Sequence, residues 1–153
     1  MKNVFKQNGA VLFLSISLAL LNSNCNNPKK DASPQQMQMV KDYYAAYEKK
    51  DWSVMEPILA EGFTFTSPAG DDHISLNVYK ERCWPNALKT KKFDLEKIIL
   101  DGDMAYVTYN GWTTDDKLFR NTELFIFKDG KIISNECFFG TGVSFPNNAS
   151  TEK

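Results

Sequence analysis

The sequence predicts an α+β domain in which a curved antiparallel sheet wraps around three N-terminal helices. Three observations predict this class. Apolar residues recur at helical spacing from Met39, apolar and polar residues alternate from Phe93 to Gly140, and the turn sequences DGD, TDDK and KDG divide that second part into strands. Periodicity alone also allows a flat sheet with its helices on one face.

Two helices are expected first. In MVKDYYAAYEKKDW, Val40, either Tyr43 or Tyr44, and Tyr47 fall on one face at helical spacing. Asp51 is a good N-cap for a short second helix, and Gly62 is a good residue to end it.

A strand and a third helix follow. Phe63–Pro68 alternates with a period of two, which predicts a strand with its phenylalanines on one side. Gly70 predicts a turn. Asp72 is placed to cap a third helix that runs to about Cys83, before Pro85 ends it.

The remainder of the domain predicts four antiparallel strands. They cover about Phe93–Leu100, Met104–Thr113, Leu118–Lys128 and Lys131–Phe139. The chain therefore divides into a leader at 1–25, a flexible tether at 26–37, one domain at 38–140 and a loose tail at 141–153.

The leader has the pattern of a secretory signal. Lys2 and Lys6 precede the apolar run Ala10–Leu21, whose twelve residues fall short of the roughly 20 that span a bilayer. Cys25 follows, and the segment resembles a bacterial lipoprotein signal, which implies a lipid on that cysteine. Asn24 and Leu21 depart from the usual pattern, so plain cleavage or a retained anchor are the alternatives. We expect an exported protein, periplasmic or anchored to the outer membrane.

Composition excludes some partners. The net charge of −1, without a basic stripe, argues against nucleic acid. Nothing in the sequence calls for a cofactor. An aromatic share of 13% suits a lined cavity. Cys83 and Cys137 form either one disulfide or a reduced pair.

The segment VKDYYAAYEKKDWSVMEPILAEGFTFTSP, together with the later LFIFKDGKIISNECFFG, resembles the SnoaL-like branch of the nuclear-transport-factor-2-like superfamily. The resemblance covers Met39 to Gly140. It implies a cone, with a pocket between helices and sheet that binds a small molecule. It also implies a homodimer through the outer face of the sheet, as in many relatives.

The ketosteroid-isomerase members of that superfamily allow a comparison of roles. The resemblance places their catalytic tyrosine on Tyr43 and their protonated acid on or near Glu123. Their general base falls on Ser67, which cannot take a carbon-bound proton without a base beside it. The isomerase mechanism therefore does not carry over, although Tyr43 and Glu123 remain a hydrogen-bonding clamp for a ligand carbonyl.

The same resemblance predicts which strand residues face the pocket. The inward set is Tyr106, Thr108, Asn110, Trp112, Glu123, Phe125, Phe127, Asn135, Cys137 and Phe139. The opposite set, expected on the outer partner surface, is Ala105, Val107, Tyr109, Leu124 and Ile126. Pairing of Arg120 with Glu123 would make the latter structural.

The stretch SPAGDDHISLNVYKERCWPNA holds the remaining candidates. His73 is the only histidine, and Asp72 beside it could orient it as an acid or base. The alternative is an exposed His73 in a first helical turn that Asp72 caps. A metal site is not expected, because adjacent residues rarely converge on one ion. Trp84 is placed to close one wall of the cavity.

The catalytic candidates are thus His73, Asp72 and Glu123. The expected ligand-binding residues are Tyr43, Phe65, His73, Trp84, Asn110, Trp112, Glu123, Asn135 and Cys137. Three functions remain open: binding of a small, largely apolar ligand without chemistry, an isomerase, dehydratase or hydrolase, and an interaction domain whose pocket is filled by its own side chains.

Overall fold

A computed structural model describes residues 33–140 of the chain as three helices on one six-stranded sheet. The helices are α1 (Pro34–Lys49), α2 (Trp52–Met55) and α3 (Leu76–Arg82). The strands are β1 (Leu59–Ser67), β2 (Asp71–Ser75), β3 (Thr90–Asp101), β4 (Met104–Thr113), β5 (Leu118–Lys128) and β6 (Lys131–Phe138). The predicted α+β class, with a curved and unclosed sheet, is confirmed.

The sheet has the order β2-β1-β6-β5-β4-β3. Neighbouring strands are antiparallel except β1 and β6, which run parallel. The sequence predicted a wholly antiparallel sheet of five strands. The sixth is β2, and the parallel pair arises because the first strand, β1, lies beside the last strand, β6, and both run in the same direction.

Helix α1 begins earlier than expected. Ser33 Oγ accepts from the amide of Gln35 at 3.2 Å, and Gln36 Oε1 accepts from the amide of Ser33 at 2.8 Å. This capping box satisfies amides that a helix start leaves unpaired, and Pro34 suits the first helical position. Residues 34–37, predicted as the end of the tether, therefore belong to the helix.

The core lies between α1 and the concave face of the sheet. Val40, Phe63 and Phe125 are fully buried there, and each such side chain stabilises the fold by about 1.5–3 kcal/mol. The inward phenylalanines of β1 were predicted correctly. Gly62, however, does not end a helix, because α2 stops at Met55, a 3-10 turn covers Glu56–Ile58, and β1 begins next.

The segment predicted as the start of the third helix is instead strand β2. Ile74 pairs with Phe65 and Asp71 with Ser67, with a register shift between the two pairs. His73 has a φ of 50° at this irregularity. Asp72 therefore caps no helix, and the residue at the start of α3 is Ser75.

The predicted facing of β4 is wrong. Val107 pairs with Glu123, so the odd-numbered residues of β4 share the concave face with Glu123. Ala105, Val107 and Tyr109 are buried in the core and cannot form a partner surface. The even-numbered set, Tyr106, Thr108, Asn110 and Trp112, lies on the outer face.

Two features mark that outer face. Asn110 is almost fully buried, and its amide has polar partners there. It donates to Glu96 at 2.5 Å and accepts from Arg120 at 3.2 Å. Arg120 pairs with Glu96, not with Glu123. Ile99, Tyr106 and Leu124 form an apolar row. Self-association through this face stays a prediction, which sedimentation analysis of the purified protein tests.

Cys25 and the predicted leader, most of the tether and the tail lie outside the described residues. Within residues 33–140, no helix combines the length and apolar character needed to cross a membrane.

Candidate functional site

A cavity of about 330 Å³ opens between α1 and the sheet. Its volume is within the range of small-molecule sites, about 300–1,000 Å³. The aromatic side chains on its wall are Tyr43, Tyr44, Tyr47, Phe65, Phe93, Tyr109, Phe119 and Phe139. A cavity with such a wall favours a molecule that is largely apolar.

The floor of the cavity contains a buried carboxyl group. Glu123, only 6% exposed, accepts hydrogen bonds from Tyr109 at 2.8 Å, from Tyr44 at 3.0 Å and from Asn135 at 3.3 Å. The three donors come from β4, α1 and β6, so three elements converge on one side chain. Burial raises the pKa of Glu123 above its ordinary value, although these hydrogen bonds oppose the rise.

A second polar chain runs beside Glu123. The Tyr79 hydroxyl lies 2.6 Å from that of Tyr43 and 2.6 Å from that of Tyr47. Tyr43 also donates to Asn135 Oδ1 at 3.4 Å. Because Asn135 bonds Glu123 through its other amide atom, the tyrosine hydroxyls and the carboxyl form one continuous network. Burial raises the pKa of all three tyrosines, which keeps their protons in place.

A glycine makes room for the opposite wall. A Cβ at Gly111 would lie 2.2 Å from the ring of Phe119. The absence of a side chain therefore lets Phe119 lie across β4, where its ring packs at right angles to those of Phe93 and Tyr109.

A second carboxylate stands at another part of the wall. Asp71, 7% exposed at its side chain, accepts from Ser67 Oγ at 2.7 Å and pairs with Arg82 at 2.9 Å. The turn at Gly70, whose φ is 90°, brings β2 back against β1 and so places Asp71 beside Ser67. Ser67 is the position where the resemblance to the isomerases predicted a general base and the sequence has none. The carboxylate of Asp71 is in contact with it.

The two thiols of the domain also line the cavity. Cys83 and Cys137 are both free, so the reduced alternative is the one found here. Burial raises the pKa of Cys83 to about 11 and raises that of Cys137 further. Neither is an activated nucleophile, because the thiolate is the reactive form.

The expected site residues divide into three groups. Tyr43, Phe65, Glu123 and Cys137 line the cavity. Asn135 lies behind it in contact with Glu123, and Trp84 packs on Tyr47 with ring centroids 5.0 Å apart. Asp72, His73, Asn110 and Trp112 lie elsewhere.

Asn110 and Trp112 were misplaced by the predicted facing of β4, and Asp72 and His73 by the unexpected strand β2. His73 and Asp72 are exposed, with Nδ1 and Oδ1 2.5 Å apart, and neither residue is on the cavity wall.

Within residues 33–140, no cluster of three or more His, Cys, Asp or Glu side chains is arranged for a metal ion.

Sequence reasoning missed Asp71, Tyr44, Tyr47, Tyr79 and Tyr109. Tyr44 and Tyr47 could have been predicted from the sequence, because their spacing from Tyr43 places them on adjoining parts of the same helix face. Asp71 had none, because its orientation depends on the unexpected strand β2.

A scan against family models matches the SnoaL-like domain over residues 40–135. The chain belongs to the SnoaL-like family. The match spans both the helix with the tyrosines and the strand that carries Glu123. No curated protein matches the chain.

Solved structures agree on the fold of this SnoaL-like domain. A nuclear-transport-factor-2-like protein from Cytophaga hutchinsonii is 21% identical with a TM-score of 0.57, over 72% of this chain and 94% of that one. A proposed ketosteroid isomerase from Kribbella flavida is 17% identical with a TM-score of 0.61, over 73% and 82%. A proposed polyketide cyclase from Sinorhizobium meliloti is 22% identical with a TM-score of 0.55, over 66% and 94%.

The buried carboxyl predicts a pH-dependent stability. In the unfolded chain Glu123 ionises near pH 4.3, and in the folded domain its pKa is higher. As the pH rises from about 4.3 through the folded value, the wild type should lose stability relative to Glu123→Gln. The loss amounts to about 1.4 kcal/mol for each unit by which the two pKa values differ.

Urea unfolding of both proteins across this pH range measures the effect, with Glu61→Gln at an exposed position as the matched control. A wild-type advantage over Glu123→Gln that grows with pH would contradict the raised pKa.

Proposed function

We propose that this SnoaL-like domain binds a small, largely apolar molecule that carries one polar group. The observation that supports the proposal is a buried carboxyl, Glu123, inside an aromatic-walled cavity. Desolvation of a buried carboxyl costs free energy that an apolar core residue would not, so its place beside an open cavity favours a role toward a ligand.

The cavity limits the size and character of the ligand. About 330 Å³ suits a molecule of two or three fused rings or an equivalent chain, and the wall offers rings for stacking and edge contacts. Asn86, Lys89, Thr113 and Asn121 also line the cavity, so its wall is not wholly apolar. The alternative of a pocket filled by its own side chains is less favoured, because this volume is open.

A thermal-shift screen of aromatic and fused-ring compounds tests binding. A compound at 100 times its dissociation constant should stabilise the protein by about 2.7 kcal/mol, which raises the melting temperature of a domain of this size by several degrees. Phe119→Ala removes a wall residue and should weaken the shift.

Phe138→Ala is the matched control, since Phe138 is 48% exposed and does not line the cavity. Equal shifts in both variants would place the binding site elsewhere, and no shift with any compound would count against a small-molecule function.

A second function, acid–base catalysis, is favoured by Asp71. Its carboxylate contacts Ser67, which stands where the resemblance places the base of the isomerase branch, while burial raises the pKa of Glu123. Two carboxyl groups in contrasting environments are a common arrangement of a base and an acid. The enzyme alternative therefore uses Asp71 and Glu123, and the exposed pair His73 and Asp72 has no place in it.

Neighbouring aspartates provide the test. If any ligand found by the screen is turned over, Asp71→Asn should lower kcat at least 100-fold, as expected for loss of a general base. Asp72→Asn, one residue away and exposed, should leave kcat unchanged. Comparable losses in both variants, or full activity of Asp71→Asn with an unchanged fold, would exclude this role.

The leader supports a further proposal, export with lipid attachment at Cys25. Its support is the order of Lys2 and Lys6, a short apolar run and a cysteine, followed by a polar segment. A lipid on Cys25 would hold the domain at a membrane surface by its N-terminal end.

Labelling of expressing cells with a radioactive fatty acid checks this attachment. The wild-type protein should take up label and partition into detergent, and Cys25→Ser should do neither. Cys83→Ser is the matched control, and label retained in Cys25→Ser would overturn the proposal.

A further inference from the structure

Tyr47 is the end of the hydrogen-bonded chain that starts at Glu123. Tyr47 lines the cavity, and its hydroxyl lies 2.6 Å from that of Tyr79. The Tyr43 hydroxyl, in contrast, already contacts both Tyr79 and Asn135. Of these tyrosines on the wall, Tyr47 therefore has the most hydrogen-bonding capacity left for a ligand.

The chain has one direction when Glu123 is ionised. Asn135 then donates its Nδ2 proton to the carboxylate, and its Oδ1 accepts from Tyr43. Each phenol has one proton to donate, so Tyr43 must accept from Tyr79 and Tyr79 must accept from Tyr47. The Tyr47 proton is used inside the chain, so toward a ligand its oxygen can act only as an acceptor.

The direction reverses when Glu123 is protonated. The proton then lies on Oε2, the oxygen that Asn135 and Tyr44 contact, and as a hydroxyl Oε2 can still accept from Tyr44 while it donates to Asn135. Oε1 remains an acceptor for Tyr109. Rotation of the Asn135 amide, whose two ends have nearly the same shape, offers Oδ1 to the carboxyl and Nδ2 to Tyr43. Tyr43 then donates to Tyr79, Tyr79 to Tyr47, and Tyr47 to the ligand.

Burial makes the two directions exclusive. Tyr79 and Asn135 are fully buried and Tyr43 is 2% exposed, so water cannot satisfy a donor or acceptor that points the wrong way. The titratable groups that face Glu123 are Tyr43, Tyr44 and Tyr47 from α1, Tyr79 from α3, Tyr109 from β4 and Cys137 from β6.

We propose that Tyr47 contacts the polar atom of the ligand, and that the proton on Glu123 decides, through Asn135 and Tyr79, whether Tyr47 donates or accepts. The proposal rests on the proposed ligand-binding function and adds its specificity. With Glu123 neutral, the site selects a molecule with an acceptor such as a ketone. Tyr79, which does not line the cavity, is a positioning residue.

Two probes that do not titrate near neutrality test the selection. 2-Acetylnaphthalene has one acceptor, and 2-isopropylnaphthalene has a similar shape without one. Calorimetry should show that the affinity of the ketone falls about fivefold as the pH rises through the titration of Glu123, the loss of roughly one hydrogen bond. The affinity of the hydrocarbon should not change.

Variants separate the chain from other causes of pH dependence. Tyr79→Phe should remove the pH dependence of ketone binding, whereas Tyr44→Phe, which contacts Glu123 outside the chain, should keep it with a shifted midpoint. A ketone affinity that does not vary with pH in the wild type, or that varies as steeply in Tyr79→Phe, would overturn the proposal.

A measurement on the free protein decides the matter even if neither probe binds. The ¹³Cζ resonance of Tyr47 should move with the same midpoint as the carboxyl resonance of Glu123 in the wild type, and should not move in Tyr79→Phe. Coupled resonances without any probe binding would support the chain and count against the ligand function. Uncoupled resonances would overturn the chain whatever the probes do.

Discussion

The structure depends on the burial of one carboxyl group between the first helix and the sheet. Glu123 needs donors from several directions to remain buried, and it receives them from α1, β4 and β6. These contacts fix how the helix lies on the sheet and which way β4 faces. The cavity beside Glu123 is the space that the surrounding rings leave open, so packing and site have a common origin.

The presence of three helices, the positions of all four later strands and the α+β class followed from sequence patterns that are local. The direction in which the side chains of β4 face, relative to those of β5, did not follow from local patterns. A slip of one residue in pairing reverses every side chain of a strand, and the turn between Thr113 and Leu118 does not determine the register by itself. The sequence Tyr106, Thr108, Asn110 and Trp112 also suits a polar pocket better than the real inward set, Ala105, Val107 and Tyr109.

The error at β2 had a related cause. Asp72 before an apolar residue has the chemistry of a helix cap, yet the five residues from Asp71 pair with β1 because the turn at Gly70 returns the chain to the sheet. This tertiary pairing moved Asp71 inward and His73 outward. Family membership predicted the cone and the places of Tyr43 and Glu123, and it could not predict that a carboxylate from the next strand stands beside Ser67.

Glu123 is a buried carboxyl that the fold holds in its neutral form more readily than an ordinary glutamate. A titration of its ¹³C carboxyl resonance in the purified protein measures this directly. We expect a midpoint clearly above the ordinary value of about 4.3. A midpoint at or below that value would mean that the donors outweigh burial, and Glu123 would then be a permanently ionised structural anchor instead of a group that gains and loses a proton beside a ligand.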